Sequence, residues 1–216
     1  VRIQKSQGGG GSPIIRGFEA NRVLIVVDGV RMNNAIYRSG HLQNSITIDP
    51  SNIERAEVIF GSSSVGYGSD AMGGVIHYYT KNPILKNSEK ISSSFTTNFN
   101  SANNSVSNNF NTNYSSDNWG SITSISISKY GDIKMGKKRS HGYSDWGLTP
   151  IFSQNSRYKF YSEPSINLDE NIQKNTGYSQ VDLFQKFLFR IGDDNLLNLN
   201  IQFSESSDID RYDQLS

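Results

Sequence analysis

From about residue 90 onward, the sequence alternates between apolar and polar residues with a period of two. The clearest run is residues 197–204, where Leu, Leu, Ile and Phe alternate with Asn, Asn, Gln and Ser. Alternate side chains of a strand point to opposite faces, so such a run predicts a strand with one apolar and one polar face. The pattern therefore predicts a series of antiparallel β-strands in the second half of the chain.

Two features favour a membrane barrel over a soluble β-sandwich, which also alternates. The polar positions are mostly small and uncharged, as suits a wet lumen, whereas soluble surfaces are richer in Lys and Glu. The connections between strands also differ in length: the turns near residues 117 and 193 are only a few residues long, whereas residues 131–175 form a long loop. Short turns on one side and long loops on the other are typical of outer-membrane barrels. No apolar run approaches the roughly 18 residues of a spanning helix.

The composition narrows the choice of protein class. Hydrophobic residues make up 35% of the chain and mean hydropathy is −0.53, which is low for a conventional globular core. Aromatic residues nevertheless reach 11%, which argues against a disordered chain. The net charge of +1 gives no general attraction to nucleic acid, so no nucleic-acid partner is expected.

Residues 1–83 have a different pattern, which indicates a small α+β unit. Residues 22–27, in which Arg22 is followed by five apolar residues, predict a buried strand ending at Asp28-Gly29. Asp49-Pro50 predicts a capped helical turn, and residues 57–60 and 75–80 predict further strands. Because no long helix is predicted, another part of the protein must cover this sheet.

A glycine-rich stretch, residues 61–74, contains the dinucleotide-binding pattern GxGxxA at residues 66–71. That pattern requires a helix to follow, because the helix N-terminus holds the pyrophosphate. Here two glycines and a β-branched, aromatic run follow instead. Nucleotide binding, and with it an oxidoreductase, is therefore disfavoured, and the chain is not expected to be an enzyme.

Several short blocks in the first half of the chain form a series that extends over about seventy residues. The blocks are Arg16-Gly17-Phe18, Val26-Val27-Asp28-Gly29-Val30-Arg31, Ile48-Asp49-Pro50, Ile53-Glu54-Arg55-Ala56-Glu57-Val58, Gly61, Tyr67-Gly68-Ser69-Asp70-Ala71 and Gly73-Gly74-Val75-Ile76. In order and spacing they resemble the plug domain of TonB-dependent outer-membrane receptors. The stretch Tyr37-Arg38-Ser39-Gly40-His41 resembles the haem and haemoglobin receptor branch of this family.

The resemblance implies an α+β plug, a small mixed sheet with short helices, over residues 1–83. It implies that residues 84–216 are the first antiparallel strands and an outer loop of a transmembrane β-barrel. The chain is then a fragment of a plugged barrel of about 22 strands, of which about five are present.

The resemblance also implies function, location and partners. The expected protein is a receptor in the outer membrane of a Gram-negative bacterium, surrounded by outer-membrane lipid and driven by the TonB energy-coupling protein. The leading ligand is haem, free or from haemoglobin, with a surface lipoprotein as another partner; no intrinsic cofactor is expected. A ferric siderophore or cobalamin is the alternative ligand, and a secreted β-rich adhesin is a remote alternative.

Ligand contacts are expected in the stretch Tyr37-Arg38-Ser39-Gly40-His41. A neutral imidazole ligates haem iron, and the resembling branch carries a haem-ligating histidine after a glycine. His41 is therefore the candidate iron ligand, with Tyr37 and Arg38 beside it; the alternative is an ordinary loop histidine.

The resemblance also implies structural roles for other residues. Arg16, Glu54, Arg55 and Glu57 are candidates for ion pairs between plug and barrel, with salt bridges inside the plug as the alternative. The glycine stretch is expected to bring Tyr67 and the strand of Val75 against the barrel wall. The predicted turn positions are Gly17, Asp28, Gly29, Gly61, Tyr67, Gly68, Gly73 and Gly74.

A stretch of the long loop and the histidine at position 77 are two further candidates for a role. A basic and aromatic stretch in the long loop suits a carboxylated ligand such as haem, or a host protein, although most such runs are solvated loops. His77 lies in a strand pattern and is expected to be structural. The loop residues are Lys134, Lys137, Lys138, Arg139, His141, Tyr143 and Trp146.

Overall fold

The computed structural model describes residues 1–4, 9, 11–18, 22–32, 48–68, 71–139, 142–154, 159, 161 and 163–209. Within these residues, the helices are short 3-10 turns, and none is long and apolar enough to cross a membrane. The 3-10 helices are Pro50–Asn52 and Gly61–Tyr67. The strands are β1 Arg2–Gln4, β2 Ser12–Ile14, β3 Val23–Val27, β4 Val30–Arg31, β5 Ile53–Ile59, β6 Gly74–Thr80, β7 Lys90–Asn100, β8 Ser105–Ser115, β9 Trp119–Tyr130, β10 Ile133–Lys134, β11 Ile151–Phe152, β12 Ser165–Ile166, β13 Ile172–Gln173, β14 Tyr178–Ile191 and β15 Asn195–Ser206.

A four-stranded sheet, which we call the mixed sheet, has the order β4-β3-β6-β5. Strands β3 and β6 are parallel, and the other neighbouring pairs are antiparallel. All five residues of β3 are buried, as its continuous apolar run predicts for a central strand covered on both faces. The predicted strand and its end at Asp28-Gly29 are confirmed.

The core of the mixed sheet explains why it needs no long helix. On one face Leu24 and Val26 pack with Val75 and Ala71, and Tyr67 from the second 3-10 helix packs against this cluster. On the other face, clusters around Ile15 and Ile48 cover the sheet. Val75 and Tyr67 therefore pack within this unit, while Thr80, at the end of the same strand as Val75, contacts Lys186 of β14. The expected approach of Tyr67 to the barrel wall stays a prediction.

The glycine-rich stretch forms a 3-10 helix, and its last two glycines lie close to neighbouring residues at the start of β6. Gly61 and Gly68, on either side of residues 62–67, have positive φ angles of 75° and 99°. At Gly73 an added Cβ would overlap the side chain of Phe18, and Gly74 combines φ +138° with a carbonyl, that of Ile59, 2.9 Å from the Cβ position. Only glycine lets these backbones approach so closely. The turn prediction is confirmed for these glycines, and no phosphate-binding helix follows them.

A five-stranded antiparallel sheet, which we call the wall sheet, has the order β15-β14-β9-β8-β7. Its polar face turns toward the mixed sheet and its apolar face turns away. A complete row of apolar residues crosses the outer face through directly paired positions, and these side chains are 39–68% exposed. The row is Phe95, Phe110, Ile125, Leu183 and Phe203. The predicted alternation and the count of about five strands are confirmed.

The connections of the wall sheet lie at its two ends. Two short turns, at residues 116–118 and 192–194, lie at one end of the sheet. The long segment of residues 131–177 begins and ends at the other end. The turn at residues 101–104 lies at the same end as the long segment, so that end is not uniformly built of long loops. Within the long segment, β10 pairs with β13 and β11 with β12.

Truncating Leu24 to Ala should destabilise the mixed sheet by about 2–5 kcal/mol, because Leu24 is fully buried in its core. Val65→Ala is the control, since Val65 is 75% exposed, and we expect a change within about 0.5 kcal/mol. Pulse proteolysis across a urea series measures both. Equal effects of the two substitutions would contradict this core.

Candidate functional site

The strongest contact between the two sheets centres on Asp28, in the left-handed turn that ends β3. Its carboxylate accepts hydrogen bonds from the backbone N–H of Thr80 at 2.9 Å and from the Thr80 hydroxyl. From the wall sheet, Lys186 Nζ donates to it at 3.0 Å and Asn200 Nδ2 at 2.8 Å. Lys186 also donates to Thr80 Oγ1 at 2.9 Å and is 2% exposed.

The electrostatics of this contact favour the ionised carboxylate. Burial raises the pKa of the Asp28 carboxyl, but hydrogen bonds from Thr80 and Lys186 outweigh burial and hold the pKa below its ordinary value. The aspartate is therefore charged at neutral pH and balances the buried ammonium of Lys186. This pairing satisfies both charges where neither has full access to water.

A second contact forms at the cap of the first 3-10 helix. Asp49 Oδ1 accepts from the backbone N–H of Ser51 at 2.9 Å, so the predicted cap is confirmed. Its Oδ2 accepts from the hydroxyl of Ser126 on β9, and Asn109 on β8 donates to Ser51 Oγ at 3.0 Å. The small polar residues that the sequence alternates along β8 and β9 are therefore partners for the mixed sheet.

A cavity of about 860 Å³ lies beside this second contact, between the mixed sheet and the wall sheet. Most wall residues that line it carry hydroxyl or amide groups, and Asp49, Asp182 and Lys81 are its charged residues. Tyr130 and Tyr178 stack with ring centroids 4.4 Å apart at the end near the long segment. The space suits water and polar solutes more than an apolar ligand.

His77 is held inside the mixed sheet by both ring nitrogens. Nε2 accepts from the Gly29 N–H at 3.0 Å, and Nδ1 lies 3.2 Å from the Tyr67 hydroxyl. The ring also stacks on Tyr79. An imidazole that accepts at Nε2 must be neutral, so His77 is a structural residue, as the sequence predicts.

His41, Tyr37 and Arg38 fall outside the described residues, so their role stays a prediction.

The expected ion pairs with the barrel do not form in the part of the chain that the structure describes. Arg55 pairs with Glu57 on its own strand at 2.9 Å and lies over the ring of Tyr79. Arg16 lies over the ring of Phe60, and Glu54 is exposed. The alternating geometry of β5 places Arg55 and Glu57 on the same face, where they reach each other first. The pair that does join the two sheets is Asp28–Lys186.

Some basic residues of the long segment make contacts within the segment, and others are exposed to solvent. Lys134 pairs with Asp169, and Arg139 donates to the Trp146 carbonyl and to Asn171 Oδ1. These contacts hold the segment together, whereas Lys137 and Lys138 are exposed, as are the side chains of Tyr143 and Trp146. His141 lies outside the described residues.

Sequence reasoning missed Lys186 and Asn200, and it gave Asp28 only a turn role. A signal was present: Lys186 is a cation on the face of β14 that also carries Gln180 and Asp182, whereas its apolar face carries Leu183 and Phe187. A lone cation at an inward position indicates a buried anion opposite it.

Comparison with known proteins identifies the first part of the chain. Residues 1–75 match the family described as TonB-dependent Receptor Plug Domain. These residues are a TonB-dependent receptor plug. The resemblance inferred from the sequence blocks is confirmed.

Curated relatives match less than half of the chain. The vitamin B12 transporter BtuB of Vibrio vulnificus is 48% identical over 82 residues, which are 36% of this chain and 13% of that protein. Heme/hemopexin utilization protein C of Haemophilus influenzae is 40% identical over 94 residues, 43% of this chain and 13% of that protein. The chain therefore spans about an eighth of the length of these relatives.

A solved structure supports the fold of both parts. The ferric enterobactin receptor PfeA of Pseudomonas aeruginosa superimposes with a TM-score of 0.60 at 18% identity, covering 94% of this chain and 28% of that one. The superposition includes the wall sheet as well as the plug, so the fold is that of a TonB-dependent receptor over nearly the whole chain. At this identity the similarity concerns the fold alone.

The neutral His77 makes the stability of the plug depend on pH. Burial lowers the pKa of His77 and the charge of Arg55 adds to this, while Glu57 and Asp28 act in the opposite direction. The unfolded chain therefore gains the proton first as pH falls. Stability should be complete above about pH 6.5 and should decline below it. Comparing urea unfolding at about pH 8 and about pH 5.5 tests this, and His77→Gln should reduce the difference; an unchanged pH dependence would contradict the assignment.

Proposed function

We propose that this chain is the plug and the first five barrel strands of an outer-membrane receptor that takes up haem by TonB-coupled gating. The division is at residues 83 and 84, with the plug before it and the barrel strands and outer loop after it. The observation that carries the proposal is the wall sheet, whose polar face binds a matched plug while its apolar face remains uncovered.

The outer face of the wall sheet has the features expected of a surface in lipid. Its apolar row spans all five strands. At the end with the short turns, Trp119 lies between Tyr114 and Phe189, with centroids 4.4 and 6.3 Å away. Aromatic groups concentrate at the two boundaries of a membrane barrel. This supports an outer-membrane location with the short turns toward the periplasm. The closed barrel of about 22 strands is proposed from the likeness to TonB-dependent receptors.

Transport in this proposal is gating without chemistry. The plug lies on the wall through two polar contacts, with a polar cavity beside them. A ligand bound outside must favour one plug position over another, because only a difference in affinity shifts such an equilibrium. The TonB protein then supplies the force that opens a path.

The ligand assignment rests on two supports. Relatives include heme/hemopexin utilization protein C, as well as a protein named hemin receptor from Yersinia enterocolitica, 44% identical over 66 residues. The stretch that ends at His41 carries the histidine expected of the haem branch, with Tyr37 and Arg38 beside it. The relatives also include a vitamin B12 transporter, and PfeA binds enterobactin, so cobalamin and a ferric siderophore are the competing ligands.

The outer segment between β9 and β14 supports capture of a protein that carries haem. Tyr143 and Trp146 are 72% and 63% exposed, and Lys137 and Lys138 lie in the same segment. Exposed aromatic residues are enriched at protein interfaces. Haemoglobin or a surface lipoprotein fits this segment as partner.

Titrating haem into the full-length receptor tests the ligand assignment. The wild type should shift the Soret band, and His41→Ala should weaken binding several-fold, because an axial iron ligand is lost. His77→Gln is the matched control, since His77 faces Tyr67 inside the plug, and it should leave the titration unchanged.

The same preparation separates the ligand classes. A Soret shift of equal size in wild type and His41→Ala would exclude the iron-ligand role of His41. No shift in the wild type, together with saturable binding of cobalamin or a ferric siderophore, would contradict haem as the ligand.

A further inference from the structure

We infer that Lys186 is the wall residue that locks the plug in its closed position, and that it acts through Asp28 and Thr80. This inference rests on the proposed function, because a lock has meaning only in a plugged barrel. It does not depend on which ligand is carried. Lys186 is a positioning residue, since it acts by holding the plug.

The geometry directs a single ammonium group at the ends of two plug strands. Asp28 follows β3 and Thr80 ends β6, and these strands are parallel neighbours, so their C-terminal ends lie side by side. Lys186 Nζ reaches both, at 3.0 Å from Asp28 Oδ2 and 2.9 Å from Thr80 Oγ1. One wall residue therefore holds both central strands of the mixed sheet.

The pairing of β14 with β15 positions the ammonium group of Lys186 toward the plug. Lys186 and Asn200 are direct partners across β14 and β15, so both side chains point to the same face. Asn200 Nδ2 donates to the same Asp28 oxygen at 2.8 Å. The acceptor Asp28 is itself fixed by Thr80, whose backbone N–H and hydroxyl both donate to it.

The contact of Lys186 with Asp28 and Thr80, which we call the lock, includes an ion pair, whereas the second contact, at Asp49, does not. Asp49 and Ser51 meet the wall through the uncharged side chains of Ser126 and Asn109, beside an open cavity. Water can replace such bonds with little loss. The Asp28–Lys186 contact joins two opposite charges and its cation is 2% exposed, so separating the sheets leaves a charge without its partner.

The structure predicts an unequal response to removing either partner. Asp28→Asn leaves a fully buried ammonium without its counter-ion, and Asn is well tolerated in the left-handed turn. Lys186→Met removes the buried cation, while Asp28 keeps the bonds from Thr80 and Asn200. Asp28→Asn should therefore loosen the plug more than Lys186→Met, and the double variant should be milder than Asp28→Asn alone.

The experiment measures leak through the full-length receptor in cells that lack TonB, so that energised transport does not contribute. The probe is vancomycin, which an intact outer membrane excludes by size. Asp28→Asn should increase sensitivity several-fold, Lys186→Met less, and Lys186→Arg should remain near wild type because it keeps the charge.

Two controls keep the result interpretable. Lys129→Met makes the same substitution on the outer face of β9, where Lys129 is exposed, and should not leak. Heat-modifiable migration of each variant on a gel shows that its barrel is folded, so a leak is then attributable to the plug.

Deleting the plug separates failure of the inference from failure of the proposed function. If the deletion leaks while folded Asp28→Asn and Lys186→Met do not, the lock is wrong and the plugged barrel stands. If the deletion does not leak either, the plugged barrel itself is contradicted. Additive effects of the two substitutions, in place of the milder double variant, would also overturn the lock.

Discussion

The opposite polarity of the two faces of the wall sheet is the constraint on which the rest of the structure depends. Strand alternation gives one face Ser, Asn and Gln and the other face Phe, Ile and Leu. A soluble sheet would bury its apolar face against a second layer. Here the apolar row through Ile125 is uncovered in the described residues, and the polar face carries the protein contacts. A surrounding that is apolar outside and polar inside, as in the proposed membrane barrel, satisfies both faces.

The plug is built to match this inside face. Its mixed sheet has a small apolar core of its own, around β3, and only short 3-10 helices cover it. Its polar strand ends and caps then meet the wall, at Asp28 and at Asp49. Two contacts of different strength, with a polar cavity beside the weaker one, suit a part that must stay in place and also move.

Local patterns in the sequence were sufficient to predict most strands. The apolar run of β3, the Asp49 cap and the two-residue alternation of the wall each depend on neighbouring residues. Long-range partners were not predictable in the same way. Lys186 and Asp28 are 158 residues apart, and only the register of β14 against β15 and the turn after β3 brings them together. The barrel contacts expected of Tyr67 and Arg55 also depend on long-range partners, whereas in the described residues both contact neighbours in their own unit.

The most direct measurement of the central claim is a nitroxide scan of residues 124–127 in β9, in the full receptor reconstituted in a bilayer. These 216 residues contain no cysteine, and any cysteine in the rest of the receptor is replaced first, so that each introduced label reports a single position. Labels at 125 and 127 should collide readily with oxygen dissolved in lipid and rarely with a water-soluble nickel complex. Labels at 124 and 126 should be shielded from lipid oxygen. Equal oxygen accessibility at all four positions, or the reverse alternation, would contradict the account.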